Sequence, residues 1–330
     1  MKTIETAFTK MMKIRLPIIA APMFLVSNED IVCEASACGA IGTFPTLNYR
    51  PLEKYQEALK AMRVRCKQPM GVNIIVNKSN TRQNEDLKVA LDHGVELFIT
   101  SLGSPKQVIA DAHKNGAKVI CDVTNLEHAR KVQDMGADGV IAVCTGAGGH
   151  AGPITPLVLL PWLKSELSIP VIAAGGIAHG TGLAACLALG ADAVSIGTRF
   201  IASKEAGVDA AYKNAVVNAS PEDIVMTSRI SGTPAAVIRT PYIDKLGTEL
   251  PYVLKLLKEN RHTKKYAVPF IHLLGIRALE EAASQPTWKT VWSAGQSVGL
   301  VDEILSVREI IGKLVREYEA AVAGLPRAVE

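Results

Sequence analysis

His150 stands in a stretch almost without side chains, Cys144-Thr145-Gly146-Ala147-Gly148-Gly149-His150-Ala151-Gly152, directly after the apolar run Gly139-Val140-Ile141-Ala142-Val143. Glycines let a backbone come close to a large flat ligand and leave N–H groups free to point at it. An imidazole is the side chain that changes charge near neutral pH. The stretch therefore suits a planar ligand with one acid/base group beside it. The plain alternative is a flexible turn carrying a surface histidine, and the surrounding pattern has to decide between the two.

That pattern is a repeat of short apolar runs and helix-type segments. Residues 16–21, 40–44, 71–76, 95–100, 118–123, 139–143, 170–174 and 193–196 read as strands, each followed by a segment of helical character up to about residue 200. Alternation of this kind builds a parallel sheet through right-handed crossovers. Eight such units are the number of a closed (β/α)8 TIM barrel, whereas a doubly wound sheet carries its glycine fingerprint after the first strand. Here the first turn, Ala20 to Leu25, has no glycine. Glycine turns follow strands six, seven and eight instead, and the last two positions are where such barrels commonly bind phosphate.

Two of those turns, Ala174-Gly175-Gly176-Ile177 and Ile196-Gly197-Thr198, can offer backbone N–H groups and a hydroxyl to one phosphate without a lysine. Every strand of a parallel barrel ends on the same face, so Gly148-Gly149 and Ala21-Pro22-Met23 are expected there too, flanking a ring system. A ring with a single phosphate describes FMN better than NAD, which needs a pyrophosphate site. Asn73, inside an otherwise apolar strand, suits a hydrogen bond to a flavin carbonyl or ring nitrogen, or to a neighbouring backbone group. Asp122 suits the ribityl chain, or a helix cap. Thr198 suits the phosphate, or a purely structural bond. His93, His113 and His128 fall on helices, His179 at a helix start, and His262 and His272 cannot be ranked.

After Phe200 the rhythm changes. Residues 205–295 contain helix-type pieces at Ala206 to Asn218, Leu250 to Lys258 and Leu274 to Ser284, and read as a smaller, mainly helical insertion, a lid on the substrate side of the barrel formed by 1–204 and 296–330. Within Trp292-Ser293-Ala294-Gly295-Gln296 the small residues suit close approach to a ligand, making Ser293 and Gln296 substrate-side candidates. Trp288 and Trp292 are explained equally by core packing. Apolar positions 304, 307, 310, 311, 314 and 315 keep a helical period, expected to pack back on the barrel.

Composition excludes several classes. An apolar content of 48% is ample for a core, and the net charge of +4, from 36 basic and 32 acidic side chains, is spread without a basic stripe. Nucleic acid is not an expected partner. No apolar run reaches the ~18 residues of a membrane span, and the first residues lack a signal-peptide h-region. The expectation is a cytoplasmic protein without a membrane partner. The six cysteines form no C-x-x-C pair and read as reduced, buried thiols rather than as disulfides or a metal site.

Taken in order, Pro17-Ile18-Ile19-Ala20-Ala21-Pro22-Met23, Gly71-Val72-Asn73, Ala147-Gly148-Gly149-His150-Ala151-Gly152, Pro170 to Ile177, Gly190-Ala191-Asp192-Ala193, Gly197-Thr198-Arg199-Phe200 and Ala294-Gly295-Gln296 give a close resemblance. The chain resembles the FMN-dependent nitronate monooxygenases, formerly 2-nitropropane dioxygenases, relatives of FMN-dependent enoyl-acyl-carrier-protein reductases and NADH:quinone reductases. The resemblance runs nearly end to end and is more specific for the superfamily than for the reaction. It implies FMN held at Ala21 to Met23, Asn73, Gly149, Gly175-Gly176 and Gly197-Thr198, with His150 at the catalytic histidine position. The implied reaction is oxidation of a nitronate such as propionate 3-nitronate by O2 to a carbonyl compound and nitrite. The alternative is delivery of hydride from NAD(P)H to a quinone or an enoyl thioester, and a homodimer stays open. Three residues depart from the pattern: Gly146 replaces an acidic residue, Ala20 a glutamine, and Asp122 stands where some relatives have lysine.

Overall fold

The computed structural model describes residues 3–77, 80–229, 233–249 and 291–326. Eight parallel strands close into a barrel: β1 (Ile18–Ala20), β2 (Ile41–Pro45), β3 (Met70–Ile75), β4 (Leu97–Ser101), β5 (Lys118–Val123), β6 (Gly139–Val143), β7 (Val171–Ala174) and β8 (Ala193–Ile196). Closure is made by β1 against β8, with Ile18 opposite Val194 and Ala20 opposite Ile196. The strands are apolar throughout because both faces are covered, one by the helices and one by the barrel interior.

That interior is a distinct cluster. Ile19, Ile41, Leu97, Ile99, Ile120, Ile141 and Ile172 meet there, joined by Phe8 and Met12 from the short helix Ala7–Met12 that precedes the first strand. Full burial of Phe8 contributes about 2–3 kcal/mol. Thr6 caps that helix, its hydroxyl accepting from the Thr9 amide at 3.2 Å. With its N-terminal end filled, the barrel keeps its open end at the C-terminal tips of the strands.

Helix ends follow local chemistry closely. The helix after β1 runs Glu29–Ala37 and is capped by Asn28, whose side chain accepts from the Ile31 amide at 3.0 Å. Ser27, one residue earlier, does not cap this helix; its bonds are described below. The helix Leu126–Asp134 stops before Gly136, whose φ of 92° only glycine adopts at low cost. His179 caps the helix Gly180–Ala188 through a bond from the Thr181 amide, as its place at a helix start suggests. The closing helix Val307–Ala323 buries Val307, Ile310, Ile311, Leu314 and Val315, the stripe read from the period.

The inserted stretch keeps helices at Ala210–Asn218 and Pro241–Leu246 and adds a strand pair that the sequence reading did not include. After the helix Ala210–Asn218 come two antiparallel strands, β9 (Ile224–Thr227) and β10 (Ala235–Ile238), in register from Ala235 opposite Thr227 to Ile238 opposite Ile224. Each is only four residues long, too short for alternation to stand out from the flanking apolar positions. The signal lies in the β-branched Ile224-Val225 and Val237-Ile238 of the sequence. The pieces 250–258 and 274–284, with His262, His272 and Trp288, lie outside the described residues.

The candidate active site at the barrel mouth

A cavity of about 970 Å³ opens at the C-terminal ends of the strands. It is lined by Ala21, Pro22, Met23, Asn73, Asp122, Gly148, Gly149, His150, Ala174, Gly175, Gly176, Gly197, Thr198 and Ser293. Of the residues proposed from sequence, Gln296 alone does not line it: it is exposed, and its amide donates to Gly146 O at 3.1 Å. Its neighbour Ser297 faces the cavity instead.

The β1 exit is held by residues that the sequence did not single out. Ser27 donates to Ala21 O at 3.1 Å and accepts from the Met23 amide at 3.0 Å. Asn48 donates to Met23 O and Ser27 O, at 3.1 and 2.8 Å, and accepts from the Leu25 amide at 2.9 Å. The loop Ala21 to Leu25 therefore has a fixed shape before any ligand arrives. A small polar residue just after a barrel strand was the available signal.

The turns after β7 and β8 are neighbours, since Ala174 pairs with Ser195. Among the described residues, the amides of Gly175, Ile177, Gly197 and Thr198 donate to no protein group. The Gly176 amide is taken: it bonds Gly146 O at 3.2 Å. Gly176, at φ 75°, instead presents its Cα, where an added Cβ would meet nothing within 4 Å. Gly175, at φ 114°, is wedged the other way, with the carbonyl oxygens of Cys144 and Thr145 at 2.9 Å from a built Cβ. Thr198 is buried, at 6% exposure, and its hydroxyl accepts from the Gly295 amide at 3.0 Å, so the structural role is present and the hydroxyl proton remains to be given. Two adjacent turns with undirected amides and an open glycine face fit a single phosphate; no lysine or arginine is needed.

On the opposite wall Asn73, Ser101 and Asp122 form a chain across β3, β4 and β5. Asn73 Nδ2 donates to Ile99 O at 3.2 Å and to Ser101 Oγ at 2.8 Å, and Ser101 Oγ donates to Asp122 Oδ2 at 2.5 Å. The backbone partner foreseen for Asn73 is thus real. Both amide protons are committed, and what Asn73 can still offer a ligand is Oδ1, an acceptor. Asp122 is not a helix cap; that place belongs to Asn125. Burial pushes the Asp122 carboxyl up to about 6, with the Ser101 hydroxyl opposing. Ser101 was missed because a serine at the end of an apolar strand reads as a boundary.

His150 lies exposed at the rim. The loop that carries it is stitched to the insertion: Gly149 donates to Ala236 O at 3.0 Å and Ala236 donates to Gly149 O at 2.7 Å. The Gly149 amide is therefore not aimed at the cavity; its open Cα face is. Gly148 packs against the Ala294–Gly295 backbone, where a Cβ would come within 2.9–3.0 Å. Above the cavity Tyr212 stacks on Trp292, with ring centroids 5.6 Å apart and planes 9° from parallel, and donates to Ser293 O at 2.5 Å. Arg50, His128 and Lys131 line its outer part. His113 pairs with Asp138 at 2.7 Å. The six cysteines are buried with free thiols, and no group of three or more metal-ligating side chains occurs among the described residues. No helix among them is long and apolar enough to cross a membrane.

A closed eight-stranded barrel with its polar groups gathered at the strand tips is the architecture of a TIM-barrel enzyme. Comparison with known proteins makes this specific: the family model of nitronate monooxygenase matches residues 81–317, and the chain belongs to that family of oxidoreductases. Enzymes of this family work with a flavin. FabK from Thermotoga maritima is 33% identical, superposes with a TM-score of 0.85, and is matched over 97% of this chain and 98% of its own. The nitroalkane oxidase of Streptomyces ansochromogenes is 25% identical with a TM-score of 0.82, over 97% of this chain and 100% of that one. A curated relative from Rhodococcus jostii, 27% identical over 96% of each chain, is a (3aS,4S,5R,7aS)-5-hydroxy-7a-methyl-1-oxo-octahydro-1H-indene-4-carboxyl-CoA dehydrogenase.

Proposed function

We propose that the chain binds FMN at the barrel mouth and oxidises alkyl nitronates, such as propionate 3-nitronate, with O2 to a carbonyl compound and nitrite. The observation that carries this reading is the placement of one imidazole, His150, on the rim of a cavity whose nearest wall is glycine. The cofactor's phosphate is assigned to the amides of Gly175, Ile177, Gly197 and Thr198 and to the Thr198 hydroxyl, and its ring to the face made by Ala21 to Met23, Gly148, Gly149 and Ala174. When bound, the flavin supplies the redox chemistry. Asn73 Oδ1, the acceptor left on that side chain, would accept from a ring N–H. His150 orients the nitronate anion and stabilises its charge, or takes a proton from the neutral nitroalkane. Gly149 and Ala236 keep the imidazole over the cavity while Trp292, Tyr212 and Ser293 limit water from above.

A second reading is favoured by the size of the cavity. Its volume, about 970 Å³, lies near the top of the roughly 300–1,000 Å³ range of small-molecule sites, with Arg50, His128 and Lys131 on the outer part. That space and charge suit a quinone or an enoyl thioester reduced at the expense of NAD(P)H, with His150 donating a proton. The two readings separate on anaerobic mixing of the yellow, FMN-loaded protein with propionate 3-nitronate and, separately, with NADH or NADPH. Bleaching by the nitronate supports the first. Rapid bleaching by the pyridine nucleotide, with none by the nitronate, reverses the order, and a protein that stays colourless after reconstitution removes both.

A further inference from the structure

Asp122 has no role in the reaction as derived so far, yet its setting is unusual for a carboxylate. Around it the neighbouring elements offer mainly neutral groups: Asn73 on β3, Thr100 and Ser101 on β4, Cys121 beside it on β5, Ile141 and Val143 on β6, and Thr124 where β5 ends. The Cys121 thiol is itself pushed up to about 12 by burial and so stays neutral. The other charged or titratable groups lining the same cavity are Arg50, His128, Lys131, His150 and Tyr212, whose hydroxyl is pushed up by burial and stays neutral. None of them offsets the burial of Asp122, which only the Ser101 hydroxyl opposes. Lys131 is held by Glu127 at 2.8 Å.

The hydrogen-bond chain has a fixed direction. Asn73 commits its amide protons to Ile99 O and Ser101 Oγ, so Ser101 accepts from Asn73 and gives its one proton to Asp122 Oδ2. The other carboxyl oxygen, Oδ1, is left to gain or lose a proton without disturbing the chain. A carboxyl of this kind is an acceptor when ionised and a donor when neutral, and it lines the cavity in both states.

We propose that Asp122 is the proton store of the redox centre, a residue that takes up one proton from solvent when negative charge is deposited in the cavity and returns it when that charge leaves. The step is carboxylate plus proton giving carboxylic acid at Oδ1; no electron passes through Asp122. Ser101 and Asn73 are positioning residues, which keep Oδ2 occupied so that the proton goes to Oδ1. The proposal rests on the flavin reading above, because the charge it answers is that of the two-electron-reduced cofactor. Burial supports it: a carboxyl already raised to about 6 needs only a nearby negative charge to become protonated at neutral pH.

Two measurements on the full chain test this. In the flavin-free protein, carboxyl 13C NMR should show one aspartate titrating near pH 6, absent in Asp122→Asn and moved upward in Ser101→Ala, which loses the bond that favours the ionised form. In the FMN-loaded protein, the midpoint potential followed spectroelectrochemically between pH 6 and 8 should fall more steeply with pH in the parent than in Asp122→Asn. One extra proton per two electrons is a tenfold change per pH unit, or about 30 mV. Equal slopes in two yellow proteins would overturn the proposal while leaving flavin binding intact, the result expected if Asp122 merely bonds the ribityl chain. Absence of any aspartate titrating above pH 5 would overturn it without reference to the cofactor. A protein that never turns yellow defeats the flavin reading, and the proton store with it.

Discussion

Gly149 and Ala236 exchange both backbone hydrogen bonds, at 3.0 and 2.7 Å, so a strand of the insertion fixes the residue immediately before the imidazole. The Ala236 amide points away from β9 toward this loop, and proline at 236 would remove that bond while sparing the β9 ladder. We expect Ala236→Pro to keep its flavin and lose about 10²-fold in turnover, the scale of a misplaced catalytic group. Steady-state rates set against flavin absorbance, with His150→Ala as the reference, check this. A variant as active as the parent would show that the stitch does not position His150.

Gly175 and Gly176 respond differently to the same methyl group. At Gly175 a Cβ would meet carbonyl oxygens at 2.9 Å on a backbone with φ 114°, whereas at Gly176, with φ 75°, it would enter open space. Gly175→Ala should lose stability by at least about 1–3 kcal/mol of backbone strain. Gly176→Ala should lose only about 1–2 kcal/mol but bind FMN at least tenfold more weakly. Urea unfolding and flavin titration of the pair give the two quantities.

Thr198→Val leaves the buried Gly295 amide without its acceptor, a loss of about 1–3 kcal/mol. Thr198→Ser restores the oxygen and should recover most of it. If the flavin also leaves Thr198→Val but not Thr198→Ser, the hydroxyl holds both the Gly295 amide and the phosphate.

Asp122 also sets a pH dependence of folding. Its carboxyl is raised to about 6 in the fold, against about 3.9 when unfolded. The ionised form is therefore disfavoured by folding, and the stability present below pH 4 declines as pH rises through 6. Flavin-free Asp122→Asn should be more stable than the parent by about 1–3 kcal/mol at pH 7.5 and equal to it near pH 4. Denaturant midpoints at the two pH values decide it, and a pH-independent difference would sink the assignment.

The barrel was legible because both of its signals are local and repeated. Eight apolar runs appear at their positions within two residues, from Ile18–Ala20 to Ala193–Ile196, and helix ends such as Gly136 announce themselves by residue type. The strand tips were legible too, since a parallel barrel brings them to one face. What escaped was pairing across the sequence: Ser101 matters through Asn73 and Asp122 on neighbouring strands, Ser27 through Ala21 and Met23, and Gly149 through Ala236. The direction of each donor escaped as well. Glycine-rich turns suggested N–H groups aimed at a ligand, yet the amides of Gly149 and Gly176 serve Ala236 and Gly146. A residue type shows what a group can do, while its partner decides whether it is still available.

Phe8 and Met12 stopper the far end of the barrel. Among the described residues the cavity then opens at the strand tips, where substrates would enter and product leave. On the reading in which NAD(P)H and an enoyl thioester both react there, the two bulky reactants would compete for the same mouth, and the first would have to depart before the second enters. Double-reciprocal plots at several concentrations of the co-substrate should accordingly give parallel lines, a kinetic signature traceable to two apolar side chains at the opposite pole from the chemistry.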